Sequence, residues 1–465
     1  MGLNMGAGTL GMVWVSVVFG MPFILWLEWL GARAWQIGLM VTIQQLCVLF
    51  QLPSAVWCER MRRHKTLWAM LAVPHRLLWI VPGVLSLTLV PDRPELAVYL
   101  VMVTVAVSGA LGAMPVPLWF CWMGRLIPPA ISGRFWGTRQ AVVLAGFICS
   151  MLLVGNYLDA AMARDAARGF AWVFIIAAVC GASEILIHLG VPEPDNTEIP
   201  ARTLSMQERL RIIRRHPDFL RFVLGMGALM FSIGLIGSFI PVHLKRTFAF
   251  SFAHQAWLPV FNGVGMMVSG LVLGRLIDRV GSRSVLIGLI ILGPCTTFAW
   301  FFLHQGYWML HDWPIRQALV VAIVIHLTGG FFYGGMGVCQ LQMLQRFVPA
   351  EQRLFGTAFF WVSLGLLAAS APLLAGAIVD YVDAHPPGIR LPGGQPLGFF
   401  HILVTLHILA MWLLALPLLR GLAVSPGERP LRQHILSIIP GNSFRAVANT
   451  GMGPISSPPK LDGES

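Results

Sequence analysis

The sequence predicts an all-α polytopic membrane protein, with twelve transmembrane helices in two parallel six-helix halves. Three observations predict it. Long apolar runs recur from end to end of the 465 residues, of which 57% are hydrophobic and only 11% charged; soluble proteins carry about 25% charged residues. One unusual loop sequence occurs twice, six runs apart. Lys and Arg alternate between rich and poor loops along the chain.

A hydrocarbon layer of ~30 Å takes about 20 apolar residues per helix. On that measure the first half holds spans at 8–30, 36–57, 66–89, 96–121, 139–158 and 169–190. The second holds 219–243, 255–277, 284–303, 316–339, 355–379 and 398–419. No positive charge precedes the first run, and it exceeds the apolar core of a signal peptide, so it reads as a retained span, although "ARA" at 32–34 mimics a cleavage site. Within the central stretch, 206–216 ("MQERLRIIRRH") reads as a short basic amphipathic helix at the membrane surface. After 420 the chain turns polar and rich in Gly, Pro and Ser, the composition of a disordered tail, with one apolar island at 434–439. The expected division is a six-helix half at 1–190, a cytoplasmic loop at 191–218, a second half at 219–419 and a cytoplasmic tail at 420–465.

The net charge of +12 sits in short loops between apolar runs, which points to membrane topology and away from nucleic acid. With the N-terminus inside, the inner loops and tail hold 23 Lys and Arg, the outer loops hold 8, and Arg76 is left inside a span. Basic residues stay on the cytoplasmic side, so both termini are expected there, in a bacterial inner membrane.

The repeated loop reads "RFWGT" at 134–138 and "RLFGT" at 353–357, each preceded by a basic-apolar-apolar-proline step, "RLIP" and "RFVP". The offset is 219 positions. A second pair of loops shares it: "AVWCERMRRHKTL" (55–67) against "GRLIDRVGSRSVL" (274–286), where Glu59-Arg60 falls on Asp278-Arg279. For Pro128 and Pro349 the offset becomes 221. An even number of spans separates the copies, so the halves share one orientation and are related by an axis along the membrane normal.

The stretch "GRLIDRVGSR" resembles the loop motif between helices 8 and 9 of the major facilitator superfamily, and "ERMRRHK" is similar to its partner between helices 2 and 3. The "P…RFWGTR" loop resembles that of a bacterial subgroup. The likeness extends over about 8–419. Ala55 stands where the first motif has Gly, and Glu59 where it has Asp. Helix 5 lacks the Gly-Pro motif of proton-drug antiporters. The resemblance implies gate latches on the cytoplasmic face: Glu59 and Arg60 against the start of helix 11 near Arg353, and Gly274, Asp278 and Arg279 against the start of helix 5 near Arg134. Topology charges and turn formers are the plainer reading of the same residues.

Ionisable residues within spans are costly and usually functional or paired. Arg76 in span 3 and Glu184 in span 6 are expected to form an intramembrane ion pair, since the resemblance sets helices 3 and 6 side by side; its role is structural or one of coupling. The resemblance also lines the cavity with helices 1, 4, 7 and 10. Histidine as a residue type ordinarily titrates near neutrality, which makes His326 in helix 10 the proton-coupling candidate, or else a packed, hydrogen-bonded histidine. Phe332 and Tyr333 follow it in the glycine-rich "TGGFFYGG". Glu28, Gln44, Gln45, Asn262 and Gln340 are candidate polar contacts, Glu28 reading more readily as an interfacial charge. Trp119 and other tryptophans (Trp14, Trp26, Trp122, Trp257, Trp361) suit stacking on a sugar or anchoring at the interface.

The cysteines show no paired spacing, and no "GxxxxGK" or "HExxH" occurs, so no disulfide framework, metal site, cofactor, ATP-driven step or enzymatic activity is expected. The expected partners are a small-molecule substrate and the lipid bilayer, for a monomer. The expected function is secondary active transport of a small organic solute by alternating access, in its finer form proton-coupled uptake (symport) of a sugar or glycoside. Drug or metabolite efflux, and a transporter-like receptor or assembly factor that moves nothing, remain open.

Overall fold

The computed structural model describes residues 2–61, 63–127, 129–194, 204–310, 313–349, 352–391 and 396–423. The predicted tail from 424 onward and much of the central loop lie outside them.

Among the described residues, twelve helical segments are long and apolar enough to cross a membrane. Spans 1 to 6 are Gly2–Trp29, Ala34–Cys58, Lys65–Thr88, Pro94–Phe120, Thr138–Met162 and Ala166–His188. Spans 7 to 12 are Pro217–Phe248, Phe252–Val280, Ser282–Phe302, Gln317–Phe347, Phe355–Ala384 and Phe399–Arg420. Each predicted span has its counterpart. Most of the observed helices run longer than the apolar runs; span 10, for example, continues past Arg346 to Phe347, because helical hydrogen bonding does not stop where hydropathy falls. A helix at Met206–Arg214 precedes span 7, with Ser205 and Glu208 forming a reciprocal cap at its start. One loop holds a two-stranded antiparallel hairpin, Tyr307–Leu310 against Trp313–Arg316.

Two breaks repeat. Span 1 divides between Gly2–Val18 and Met21–Trp29, with Pro22 opening the second piece. Span 7 divides between Pro217–Gly237 and Ile240–Phe248, with Pro241 in the same place. Proline lacks the N–H that would continue the ladder. At Gly20 a Cβ would stand 2.0 Å from the Ser16 carbonyl oxygen, so the first break requires glycine. Pro22 and Pro241 obey the same 219-residue offset as the loops.

The core is divided unevenly. Chain direction puts the ends of the odd-numbered spans on one face, here the far face, and the N-terminus on the near face. One apolar core spans both halves toward the far face, joining Trp26, Phe174, Phe239, Phe252, Trp300 and Phe400. Toward the near face there are two. One is built from the first half around Trp68, Trp122 and Ile185. The buried residues of the other all belong to the second half and its preceding helix, around Phe222, Leu286 and Met343. The halves thus share one core at the far end, whereas toward the near face each has a core of its own, and they meet where Leu52 of span 2 packs on the core of the second half.

Candidate functional site

The two breaks frame a cavity of about 580 Å³ between the halves. Its wall is mostly apolar, from Phe19 and Ile24 of span 1 to Ile240 and Leu258 of spans 7 and 8. The polar exceptions are Gln44, Gln45, Ser238, Gln255 and His326. A side cavity of about 320 Å³ runs into the first half, lined by Trp14, His75, Arg76 and Ser108. Val18, Phe19, Gln44 and Val48 line both spaces, so they adjoin.

The far face is sealed by a pair of matching clasps. Asp159, at the end of span 5, accepts hydrogen bonds from the backbone N–H groups of Phe252 and Ala253, at 2.8 and 2.9 Å. Asp380, at the end of span 11, accepts from Ala34 and Trp35, at 3.0 and 2.8 Å. Each carboxylate thus caps the open N-terminus of a helix from the other half, where free N–H groups and the helix dipole favour negative charge. Beside them Arg246 of span 7 bridges Glu28 (3.0 Å) and Asp383 (2.8 Å). Nothing comparable closes the near face among the described residues. Asp278, Arg279 and Arg353 are exposed there and have no ion pair among them. The side chains of Glu59, Arg60 and Arg134 lie outside the described residues. Gly274 has open space where a Cβ would stand.

The sequence candidates scatter around this geometry. Gln44, Gln45 and His326 line the central cavity. His326 Nδ1 stands 2.8 Å from the Ala322 carbonyl oxygen, and Asn262 Nδ2 donates to the His326 carbonyl. The remaining candidates are away from the wall. Tyr333 Oη pairs with His407 Nε2 at 2.9 Å, and Phe332 packs on the second half's core. Gln340 is buried a further two turns along. The cavity reaches only the upper part of span 10, so residues sharing the face of His326 but lying deeper meet protein instead. Trp119 packs on Trp136 and under Arg139, and Glu28 belongs to the far-face bridge. Among the tryptophans, Trp26 and Trp122 are core and Trp14 reaches the side cavity.

Arg76 Nη2 donates to Glu184 Oε2 at 2.9 Å, and the guanidinium lies 3.8 Å from the centre of the Trp14 ring. Gly11 leaves room for the carboxylate: a Cβ there would stand 2.1 Å from Glu184 Oε2. The network continues through His188, whose Nδ1 is 2.9 Å from the Glu184 carbonyl oxygen, to Asn4 and Arg139.

Sequence reasoning missed Gln255, Ser238, Asp159 and Asp380. The aspartates carried a readable signal, since they too lie 221 positions apart at the ends of corresponding spans. Gln255 carried none that set it apart from other polar residues of span 8 such as His254 and Asn262.

Comparisons with known proteins agree with this architecture. The Major Facilitator Superfamily profile matches residues 3–310 and 222–453. The MFS-type transporter YuxJ of Bacillus subtilis (strain 168) is 25% identical over 278 residues, 57% of this chain. That match spans 64% of YuxJ, short of two thirds of its length. Among solved structures, the nucleoside transporter NupG superimposes with a TM-score of 0.64 at 14% identity, over 90% of this chain and 99% of that one. A D-xylose-proton symporter gives 0.65 at 16% identity, over 92% and 98%. At these identities the likeness is one of fold.

Proposed function

Because the chain belongs to the major facilitator superfamily, we propose that it is a secondary transporter that moves a small organic solute by alternating access. One observation carries the reading: a cavity on the axis between the halves, in a molecule whose halves share a core and two clasps on one face and have separate cores on the other. This is the arrangement expected of a two-state device caught facing one side. The near face, which holds the N-terminus, is assigned to the cytoplasm, and the state to an inward-facing one. On this reading the Glu59 and Asp278 latches close the near face in the opposite state. His326, at the cavity wall, is proposed as the coupling residue for proton symport, and the direction as uptake.

A sugar or glycoside is the finer reading that the tryptophan count suggests. A wall with five polar side chains among many apolar ones offers few partners to a ring of hydroxyls. It suits a solute with a mainly apolar body better.

Spin-label distances test the switching. One pair is placed on the far face (Arg164→Cys with His385→Cys) and one on the near face (Gly190→Cys with Arg279→Cys), with the exposed Cys149 and Cys295 replaced. Two populations that change reciprocally on the two faces support transport. A single fixed distance under all conditions, including after Asp159→Asn and Asp380→Asn, favours the receptor or assembly-factor reading.

A further inference from the structure

We infer that the transported solute carries an anionic group, a carboxylate or similar oxyanion, on a mainly apolar body, and that Arg76 receives it. The inference rests on the transport reading and names the substrate class of the same site.

Arg76 is the one charged side chain lining either cavity among the described residues; no described carboxylate lines them. A cationic solute would meet no counter-charge there, whereas an anionic one meets a guanidinium. That guanidinium is only partly engaged. Nη2 donates to Glu184, but the buried Nε has no acceptor among the described residues, and 14% of the side-chain surface stays open. A purely structural pair would be expected to close the fork, since an unused donor in a low-dielectric interior is costly. Trp14 lies against the guanidinium, and an oxyanion reaching it from the side cavity would be held by charge-assisted hydrogen bonds.

The surroundings agree in sign. The hydrogen-bonded chain around the pair contains two guanidiniums, Arg76 and Arg139, and one carboxylate, Glu184. Across the central cavity, Gln255 is 3% exposed and its Nε2 has no acceptor. Gln44 Nε2, between the cavities, likewise has none. The unmet groups on these walls are donors, and an oxygen-bearing anion is what they lack. The apolar remainder of the wall takes the solute's body.

The test uses the full-length protein in lipid nanodiscs and matched probe pairs: benzoate, phenylacetate and 4-phenylbutyrate, each against its primary amide. The amide keeps the body and removes the charge. Binding is read by the shift in melting temperature across a concentration series. The expected result is that at least one carboxylate binds about 10–100-fold more tightly than its amide, the worth of a charge-assisted hydrogen bond. In Arg76→Gln/Glu184→Gln, which removes both charges and leaves neither partner stranded, that preference disappears while the amide's affinity stays. Equal affinity of every carboxylate and amide overturns the inference, as does a preference that survives the double variant. Silence to the whole series overturns it as well. None of these results touches the transport reading, which stands or falls on the reciprocal distance changes. Where the double variant does not fold, the comparison of carboxylate with amide in the unmodified protein still decides.

Discussion

The Arg76–Glu184 pair was legible in the sequence because two opposite charges inside apolar spans have little choice but to find each other. What the sequence could not convey is that the pair opens onto a cavity, since that depends on the rotation of spans 1, 2 and 3 about their axes. Two predictions belong here. Arg76→Ala leaves Glu184 buried without its partner and should destabilise the fold by about 3–5 kcal/mol; Arg76→Gln/Glu184→Gln should cost markedly less, as thermal melts in detergent would show. Gly11→Ala should lower the melting temperature by forcing its methyl against the Glu184 carboxylate, an overpacking effect of about 1–3 kcal/mol. For His326, proposed as the proton carrier, His326→Gln should leave solute binding near normal while flattening the pH dependence of uptake into proteoliposomes. An unchanged pH profile would return His326 to the role of a packed histidine bonded to Ala322.

At the scale of elements, the spans were readable because the lipid solvent forces every backbone polar group into a helix and every helix into a long apolar run. Their ends were less readable, because hydropathy is silent where a helix leaves the membrane. The breaks in spans 1 and 7 are a case between. Pro22 and Pro241 were in plain view, but a proline in a spanning helix predicts a disturbance and does not say that it borders a cavity. Close helix approach depends on single glycines. At Gly38 in span 2 a Cβ would stand 2.1 Å from the Pro372 carbonyl oxygen, and at Gly376 in span 11 one would stand 2.4 Å from that of Ala34. Both lie where the halves meet on the far face, and small residues let helix backbones approach this closely. Gly38→Leu should therefore wedge spans 2 and 11 apart, seen as faster labelling of a cysteine placed at Ser238 by a membrane-impermeant reagent added from the far face. Labelling no faster than in the parent would show that the clasp tolerates the wedge.

At the scale of the whole molecule, the clasps of Asp159 and Asp380 are two uses of one device on opposite sides of the axis. A charge at a helix N-terminus is worth roughly 0.3–1 kcal/mol, more when partly buried. Losing both clasps should shift the balance between the two states by about tenfold, given ~1.4 kcal/mol per decade. Asp159→Asn/Asp380→Asn should therefore enrich the far-face-open distances in the spin-label measurement, with each single variant contributing about half. An effect confined to one aspartate would show that the symmetry is one of form and not of energy.

The sequence by itself determined the number of spans, the division into halves and their parallel relation, because hydropathy is a local property and a repeat is visible along the chain. It also determined which residues carry charge inside the spans. Only the tertiary structure decided which side chains reach the cavity, that Tyr333, Phe332 and Gln340 do not, and which face is closed. Those facts depend on how far each helix is rotated and how deep the gap between the halves runs. They are set by packing between residues more than two hundred positions apart, and no local pattern along the chain records them.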